Sequence, residues 1–294
     1  MRSYKLRLVV LGVLLLGATL SVYIAFRERG NGILTVAFLD VGQGDAIYIE
    51  SPNGNQILID GGPGKAVLRE LSKVMSFYDR SIDVVLATHA DQDHVGGLPD
   101  VLQKYQTDIF METGVSGPSS SYEQLEKNVA DKNIKKILAR RGMVVDLGDG
   151  AILQILFPDR DPTGMETNMS SIVARLVYGE NEFLFTGDSP QAIEKYLVSL
   201  SQGQTFGTGA VQGLTLISDV LKAGHHGSKT SNSAEFVSAV SPQYAVISVG
   251  KDNRYGHPNQ ETLDTFTNFG AQILRTDQSG RVVLKSDGVN LTHQ

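Results

Sequence analysis

Thr88-His89-Ala90-Asp91-Gln92-Asp93-His94-Val95-Gly96-Gly97 decides how this chain is read. His89, Asp91, Asp93 and His94 are four potential metal ligands in close succession. They follow the apolar run Ile82-Asp83-Val84-Val85-Leu86-Ala87, which reads as a buried strand. The ligand-rich run therefore lies where a strand ends and a loop begins. A loop can turn imidazoles and carboxylates toward one point, whereas a continuing strand would send His94 to the face opposite His89 and Asp91. The mix of nitrogen and oxygen donors suits zinc, manganese or iron far better than calcium.

Five further pieces occur in order around this run. They are Asp40-Val41-Gly42-Gln43-Gly44-Asp45, Asp60-Gly61-Gly62, Thr186-Gly187-Asp188, Gly224-His225-His226-Gly227-Ser228-Lys229-Thr230-Ser231, and Tyr255-Gly256-His257-Pro258. Each alone is unspecific. Together they resemble the metallo-β-lactamase fold, whose signature is H-x-H-x-D-H, with Asp91 standing where the second His is usual. That variant resembles the extracytoplasmic hydrolase domain of ComEC-type competence proteins, over roughly residues 33–287. The order of strand blocks and helices supports a mixed α/β (α+β) chain. The resemblance adds a four-layer αββα sandwich.

The chain has 294 residues, enough for one large domain or two modest ones. Its 41% hydrophobic and 20% charged content is that of a globular protein, without repeats or low-complexity tracts. The net charge of −6 and the lack of a basic stripe argue against tight, non-specific DNA binding, while leaving room for a basic patch at a cleft. With no cysteine, thiol catalysis, disulfides and cysteine metal sites are excluded.

Residues 8–26 are uncharged, with Arg2, Lys5 and Arg7 before them and Arg27 and Arg29 after. At about 1.5 Å per residue such a helix spans roughly 28 Å, close to a bilayer core. The readings are an uncleaved anchor, a cleaved signal peptide or a buried helix. The anchor is favoured, because the run lacks amphipathic periodicity and Ala18-Thr19-Leu20-Ser21 is a poor cleavage site. The basic excess before the run favours an N-terminus in the cytoplasm and the rest of the chain outside. The organisation expected is a basic N-terminus (1–7), a transmembrane anchor (8–26), a linker (27–32) and a hydrolase domain (33–294).

Within that domain, strands are expected at 33–40, 46–50 and 56–60, and helices at 65–78, from Gly96-Gly97 to 105, and near 122–130. A hairpin joins 171–178 to 182–186. A helix runs from Ser189-Pro190 to about residue 200, followed by a Gly-, Gln- and Thr-rich mobile loop at 201–213. Strand, helix, strand and helix then lead to about residue 269, and two short strands close the chain.

The resemblance implies the site. His89 and Asp91 would hold a first metal, Asp93 and His94 a second, and Asp188 would bridge them. The last ligand would be His225, with His226 as the alternative. The third His that most relatives offer the first metal is missing, and Asn168 is the expected occupant. A first site poor in nitrogen should bind zinc less tightly and tolerate manganese better, so the second site should fill first. The cofactors expected are two divalent ions, zinc or manganese. Such a pair lowers the pKa of a shared water, and the hydroxide attacks phosphorus or a carbonyl carbon. Asp93 would orient that hydroxide. His257 is a candidate proton donor or phosphate ligand, or else a loop-packing residue. Ser228, Lys229, Thr230 and Ser231 could bind phosphate, or form a solvated turn with Ser231 or Asn232 capping the next helix. Asp45 could accept hydrogen bonds from ligand histidines, or belong to a polar turn. Asp60 would hold the ligand loops without binding metal, and the glycines after it permit positive φ.

The leading reading is a membrane-anchored, metal-dependent phosphodiesterase or nuclease acting on DNA outside the cytoplasm, in competence or DNA scavenging. The chain lacks the many spans of a competence channel, so it would be either a stand-alone relative or the partner of a separate channel protein. The alternatives are a phosphodiesterase on cell-envelope or small phosphoester substrates, and a non-catalytic binding module on the same fold.

Overall fold

A computed structural model of the chain describes residues 2–28, 32–203 and 214–294. Strand periodicity builds two sheets. In β1 (Leu34–Phe38), Leu34, Val36 and Phe38 face one way and Ala37 the other. The same alternation holds in β2 (Ile47–Glu50), β3 (Gln56–Ile59) and β4 (Val84–Leu86). Both faces are apolar, so both must be covered. β5 (Ile109–Glu112) and β6 (Lys135–Leu138) extend this sheet.

The second sheet comprises β7 (Val144–Gly148), β8 (Ala151–Phe157), β9 (Val173–Tyr178), β10 (Asn181–Phe185), β11 (Val220–Lys222), β12 (Tyr244–Ile247) and β13 (Gln272–Arg275). β14 (Val282–Ser286) and β15 (Leu291–His293) return to the first sheet, where β14 pairs antiparallel with β1. The sheet orders are β15-β14-β1-β2-β3-β4-β5-β6 and β13-β12-β11-β10-β9-β8-β7.

The inner faces pack on each other around Phe38, Ile49, Leu86, Leu153, Phe183 and Phe185. The outer face of the first sheet is covered by helices Ala66–Val74, Leu98–Lys104 and Ser120–Asp131, through Leu71, Val101 and Leu125 among others. That of the second is covered by Gln191–Ser201, Ala234–Val240 and Gln260–Asn268, through Leu197, Phe236 and Phe266. The result is helix, sheet, sheet, helix, as expected.

Several local expectations are corrected. The ligand run is not open loop beyond its strand; Gln92–Val95 forms one helical turn, which brings His94 back beneath the strand end. The helix expected at 65–78 stops at Val74, where Met75 turns extended. Ser233, not Ser231 or Asn232, caps the helix Ala234–Val240, its hydroxyl accepting from Phe236 N–H. Three strands close the chain, not two, because the last two are recruited by the distant edge at β1. Most of the loop expected at 201–213, and part of the linker at 27–32, lie outside the described residues.

The N-terminal helix spans Arg2–Glu28. Its segment Tyr4–Ser21 has a mean hydropathy of 1.6 and is nowhere buried against the domain. By length and composition it is able to cross a membrane.

Candidate metal centre

β1 and β3 are both antiparallel to β2, and β4 is parallel to β3, so β1, β3 and β4 point the same way. β10, β11 and β12 are mutually parallel in the other sheet. The loops leaving these strands converge at one edge of the sandwich. They deliver Asp45, Asp60, His89, Asp93, His94, Asp188 and His226, whose donor atoms form overlapping groups within 4.8 Å of one another.

Asp60 organises this edge. It adopts a left-handed φ of 61°, unusual for a residue with a Cβ. Its carboxylate accepts from Thr88 N–H at 2.7 Å and from the Thr88 hydroxyl at 2.7 Å. It also accepts from His94 Nδ1 at 2.8 Å, which turns His94 Nε2 toward Asp188 Oδ1 at 3.3 Å. The Thr88 hydroxyl, its proton given to Asp60, accepts from His89 Nδ1 at 3.1 Å. His226 Nδ1 is held by the carbonyl of Ser248 at 3.0 Å. Its Nε2 lies 3.3 Å from Asp93 Oδ2 and 3.6 Å from Asp188 Oδ2.

Each of the three rings is thus anchored through Nδ1, while Nε2 is buried without a hydrogen bond. Asp45 Oδ1, Asp188 Oδ1 and Asn168 Oδ1 are likewise buried and unpartnered. Orphaned polar atoms in such number are costly in a native interior. Convergent imidazole nitrogens and carboxylate oxygens are the donor set of a divalent transition metal, and the residues fit such ions.

The other site candidates lie around this cluster. Asp91 occupies the cap position of the turn Gln92–Val95 but does not cap it. Its carboxylate faces His89 Nε2 at 3.7 Å, partly exposed. His225 stays at the rim, 30% exposed, with Nε2 3.6 Å from Asp188 Oδ2, so the structure brings His226 and not the favoured His225 into the buried cluster. Both histidines have positive φ, 50° and 54°, a strained pair in sequence. The His257 ring stands 5.7 Å from His225, with Nδ1 buried and unpartnered. Ser231 is buried and gives its hydroxyl to the Ser189 carbonyl; Ser228 is buried and bonded to Thr230. Of the segment expected to meet phosphate, Lys229 and Thr230 are exposed.

Asp45 belongs to the centre more deeply than a polar turn would. Its N–H donates to the Asp93 carbonyl at 3.2 Å. Gly44 makes that approach possible, since a Cβ there would overlap the same oxygen. The carboxylate pairs with Lys222, a residue the motif reading missed. Lys222 is fully buried, with Nζ on Asp45 Oδ2, 3.0 Å from the Gly187 carbonyl and 3.7 Å from Asp188 Oδ1. Strand parity signals it: Val220 faces the inner core and Leu221 the outer one, so Lys222 points a charge between the sheets.

These charges set one another's ionisation. Burial pushes the Asp188 and Asp45 carboxyls up, but His226, His94 and Lys222 hold both below the usual carboxylate range. Burial works against the His226 cation, yet Asp188 and Asp45 carry it up to about 9. Burial, with the charge of His94 beside it, pushes His89 down to about 3. Burial also lowers His257.

Comparison with known proteins gives the family. The profile described as "Metallo-beta-lactamase superfamily" matches residues 39–251. The chain belongs to that superfamily. It is similar to ComE operon protein 3 of Bacillus subtilis, at 29% identity over 84% of this chain and 32% of the relative. It is similar to competence protein ComA of Neisseria gonorrhoeae, at 30% over 83% and 31%. Recombination protein 2 of Haemophilus influenzae is 27% identical over 92% of the chain and 31% of its own length. These are competence proteins of the ComEC type, and the chain spans about a third of their length. Among solved structures, CmlA, a diiron β-hydroxylase from Streptomyces venezuelae, superposes with a TM-score of 0.56 at 15% identity, over 86% of this chain and 54% of that one. Igni18, a metallo hydrolase from Ignicoccus hospitalis, gives 0.54 at 14%, over 85% and 98%. At such identities these two show the fold alone.

Proposed function

We propose that this protein is a membrane-anchored, metal-dependent phosphodiesterase that cleaves DNA outside the cytoplasm, in the manner of a competence or DNA-scavenging nuclease. The observation that carries the reading is the set of three anchored imidazoles with free Nε2 atoms, those of His94 and His226 against Asp188 and Asp93 and that of His89 beside Asp91. His89 and Asp91, with Asn168, would hold one ion; Asp93, His94 and His226 would hold the other; Asp188 would be shared. When bound, divalent ions supply Lewis acidity and an activated water at neutral pH.

The chain's own groups do the rest. Asp93 is the partly exposed carboxylate of the centre and lies on His226, so it can orient an attacking water and take its proton at Oδ2. His257, its ring 5.7 Å from that of His225, would donate a hydrogen bond to a leaving oxygen. Lys229, exposed on the loop after His226, offers an ammonium to a phosphate. Asp60, Thr88 and Ser248 keep the imidazoles from rotating.

The helix Arg2–Glu28 would anchor the domain, with its basic flank in the cytoplasm. A separate channel protein would carry the strand that the site cuts. The acidic net charge of −6 favours a second reading, a phosphodiesterase for small or envelope phosphoesters.

The test uses the full chain in detergent. Metal content is measured, with hydrolysis of single-stranded DNA, duplex DNA and bis-p-nitrophenyl phosphate under zinc or manganese, beside Asp188→Ala. Metal-dependent DNA cleavage lost in the variant supports the nuclease. Cleavage of the small diester alone supports the second reading. Absence of bound metal after loading ends both.

A further inference from the structure

A cavity of about 350 Å³ opens beside Asp93, lined by Gln43, Pro63, Gln92, Asn253, Arg254 and Tyr255. Its two glutamines are each fixed at one end. Gln43 accepts from Gly250 N–H through Oε1 at 3.2 Å, so its amide nitrogen is left to donate. Gln92 donates Nε2 to the Pro63 carbonyl at 3.0 Å, so its Oε1 is left to accept. Asn253 is fully committed. It donates to the carbonyls of Gly250 at 3.0 Å and His257 at 2.7 Å, and accepts from Tyr255 N–H at 3.2 Å and His257 N–H at 3.1 Å. That knot holds the loop bearing Arg254 and Tyr255 in place before any ligand arrives.

The loop presents two planar groups. Tyr255 is 53% exposed, an aromatic ring open to solvent at the edge of a metal centre. The Arg254 guanidinium lies 5.2 Å from the ring centre and donates to its hydroxyl at 3.1 Å. An aromatic face, a guanidinium plane, one free donor and one free acceptor match a nucleobase, a flat π-system with donors and acceptors along its edge. The cavity shares Asp93 with the centre, so its occupant adjoins the phosphorus under attack.

We propose that this cavity is a nucleobase subsite holding one unpaired base next to the scissile phosphate. The proposal rests on the phosphodiesterase reading and narrows it. A base inside a duplex has to leave its stack to enter, whereas a base in a single strand is free to do so. The protein therefore prefers single-stranded nucleic acid, with discrimination set by Tyr255 and Arg254 and not by the metal ligands.

The test compares two diesters with one leaving group, thymidine 5′-(p-nitrophenyl phosphate) and methyl p-nitrophenyl phosphate. The ratio of their kcat/KM values isolates the base. We expect the full chain to favour the nucleoside diester by about tenfold, the scale of one base–aromatic stack. Tyr255→Ala should remove most of that preference through KM, and Tyr255→Phe should keep it. An equal ratio in wild type and Tyr255→Ala overturns the subsite while leaving the phosphodiesterase intact. If neither diester is cleaved, the phosphodiesterase reading is decided by the DNA assay, and the subsite is read by binding. Fluorescence anisotropy with a labelled oligothymidylate then decides: at least threefold weaker binding by Tyr255→Ala supports it, and unchanged binding rejects it.

Discussion

Lys222→Met tests how the centre is balanced. The ammonium is fully buried and faces Asp45 and Asp188, both within a few per cent of complete burial. Methionine fills the aliphatic volume but leaves Asp45 without its principal counter-charge. Removing one partner of a buried ion pair costs about 3–5 kcal/mol, because the remaining charge stays desolvated. For a domain of this size each kcal/mol moves Tm by about 2–4 °C, so the metal-free variant should melt on the order of 10 °C lower. A divalent ion at Asp188 supplies a replacement charge. The deficit should therefore shrink by half or more when manganese or zinc is added. Scanning calorimetry with chelator and with metal measures both. Lys222→Met combined with Asp45→Asn should recover part of the loss, since no carboxylate is then stranded. Equal Tm losses with and without metal, and no recovery in the double variant, would show that Lys222 acts through packing alone and would refute the charge argument.

Asp60→Asn should weaken metal binding about 10–100-fold by titration calorimetry while the fold persists, because it loosens the His94 ring and Thr88 together. His226→Ala should lose bound metal on dialysis and His225→Ala should retain it, as only His226 lies inside the buried cluster. Metal uptake should release protons and tighten as pH rises toward about 9, where His226 no longer competes. The same raised pKa stabilises the metal-free protein fully below about 6.5, the unfolded value, and that contribution is lost as pH approaches 9. Melting curves with chelator across that range check the sign. Phe185→Ala, which empties a fully buried position between the sheets, should cost about 3–5 kcal/mol in denaturant unfolding.

Much of this protein is legible without coordinates. Continuous apolar runs at Val84-Val85-Leu86 and Phe183-Leu184-Phe185 mark strands buried on both faces, and polar residues just beyond them mark strand ends. The candidate donors come from those ends. The short helical turn at Gln92–Val95 was less visible, because four residues carry too little periodicity to outweigh a polar loop. The sequence shows two closing strands where the structure has three, for a different reason: β14 is a strand because β1, some 250 residues earlier, offers it an edge.

The chain alone determined which chemistry is available, since residue type decides that histidine and aspartate, and no cysteine, can bind metal here. It also determined most of the longer strands and helices, because burial on one or two faces writes its period into local sequence. Only the tertiary structure shows His226 buried in the cluster and His225 at its rim, as neighbours in a left-handed turn point in different directions. Only it revealed that Lys222 is the counter-ion of Asp45, and that Asp93, Gln43 and Tyr255 border one cavity. Those facts depend on which loops meet at the sandwich edge, and that meeting is set by the packing of two sheets whose contacts are far apart in sequence.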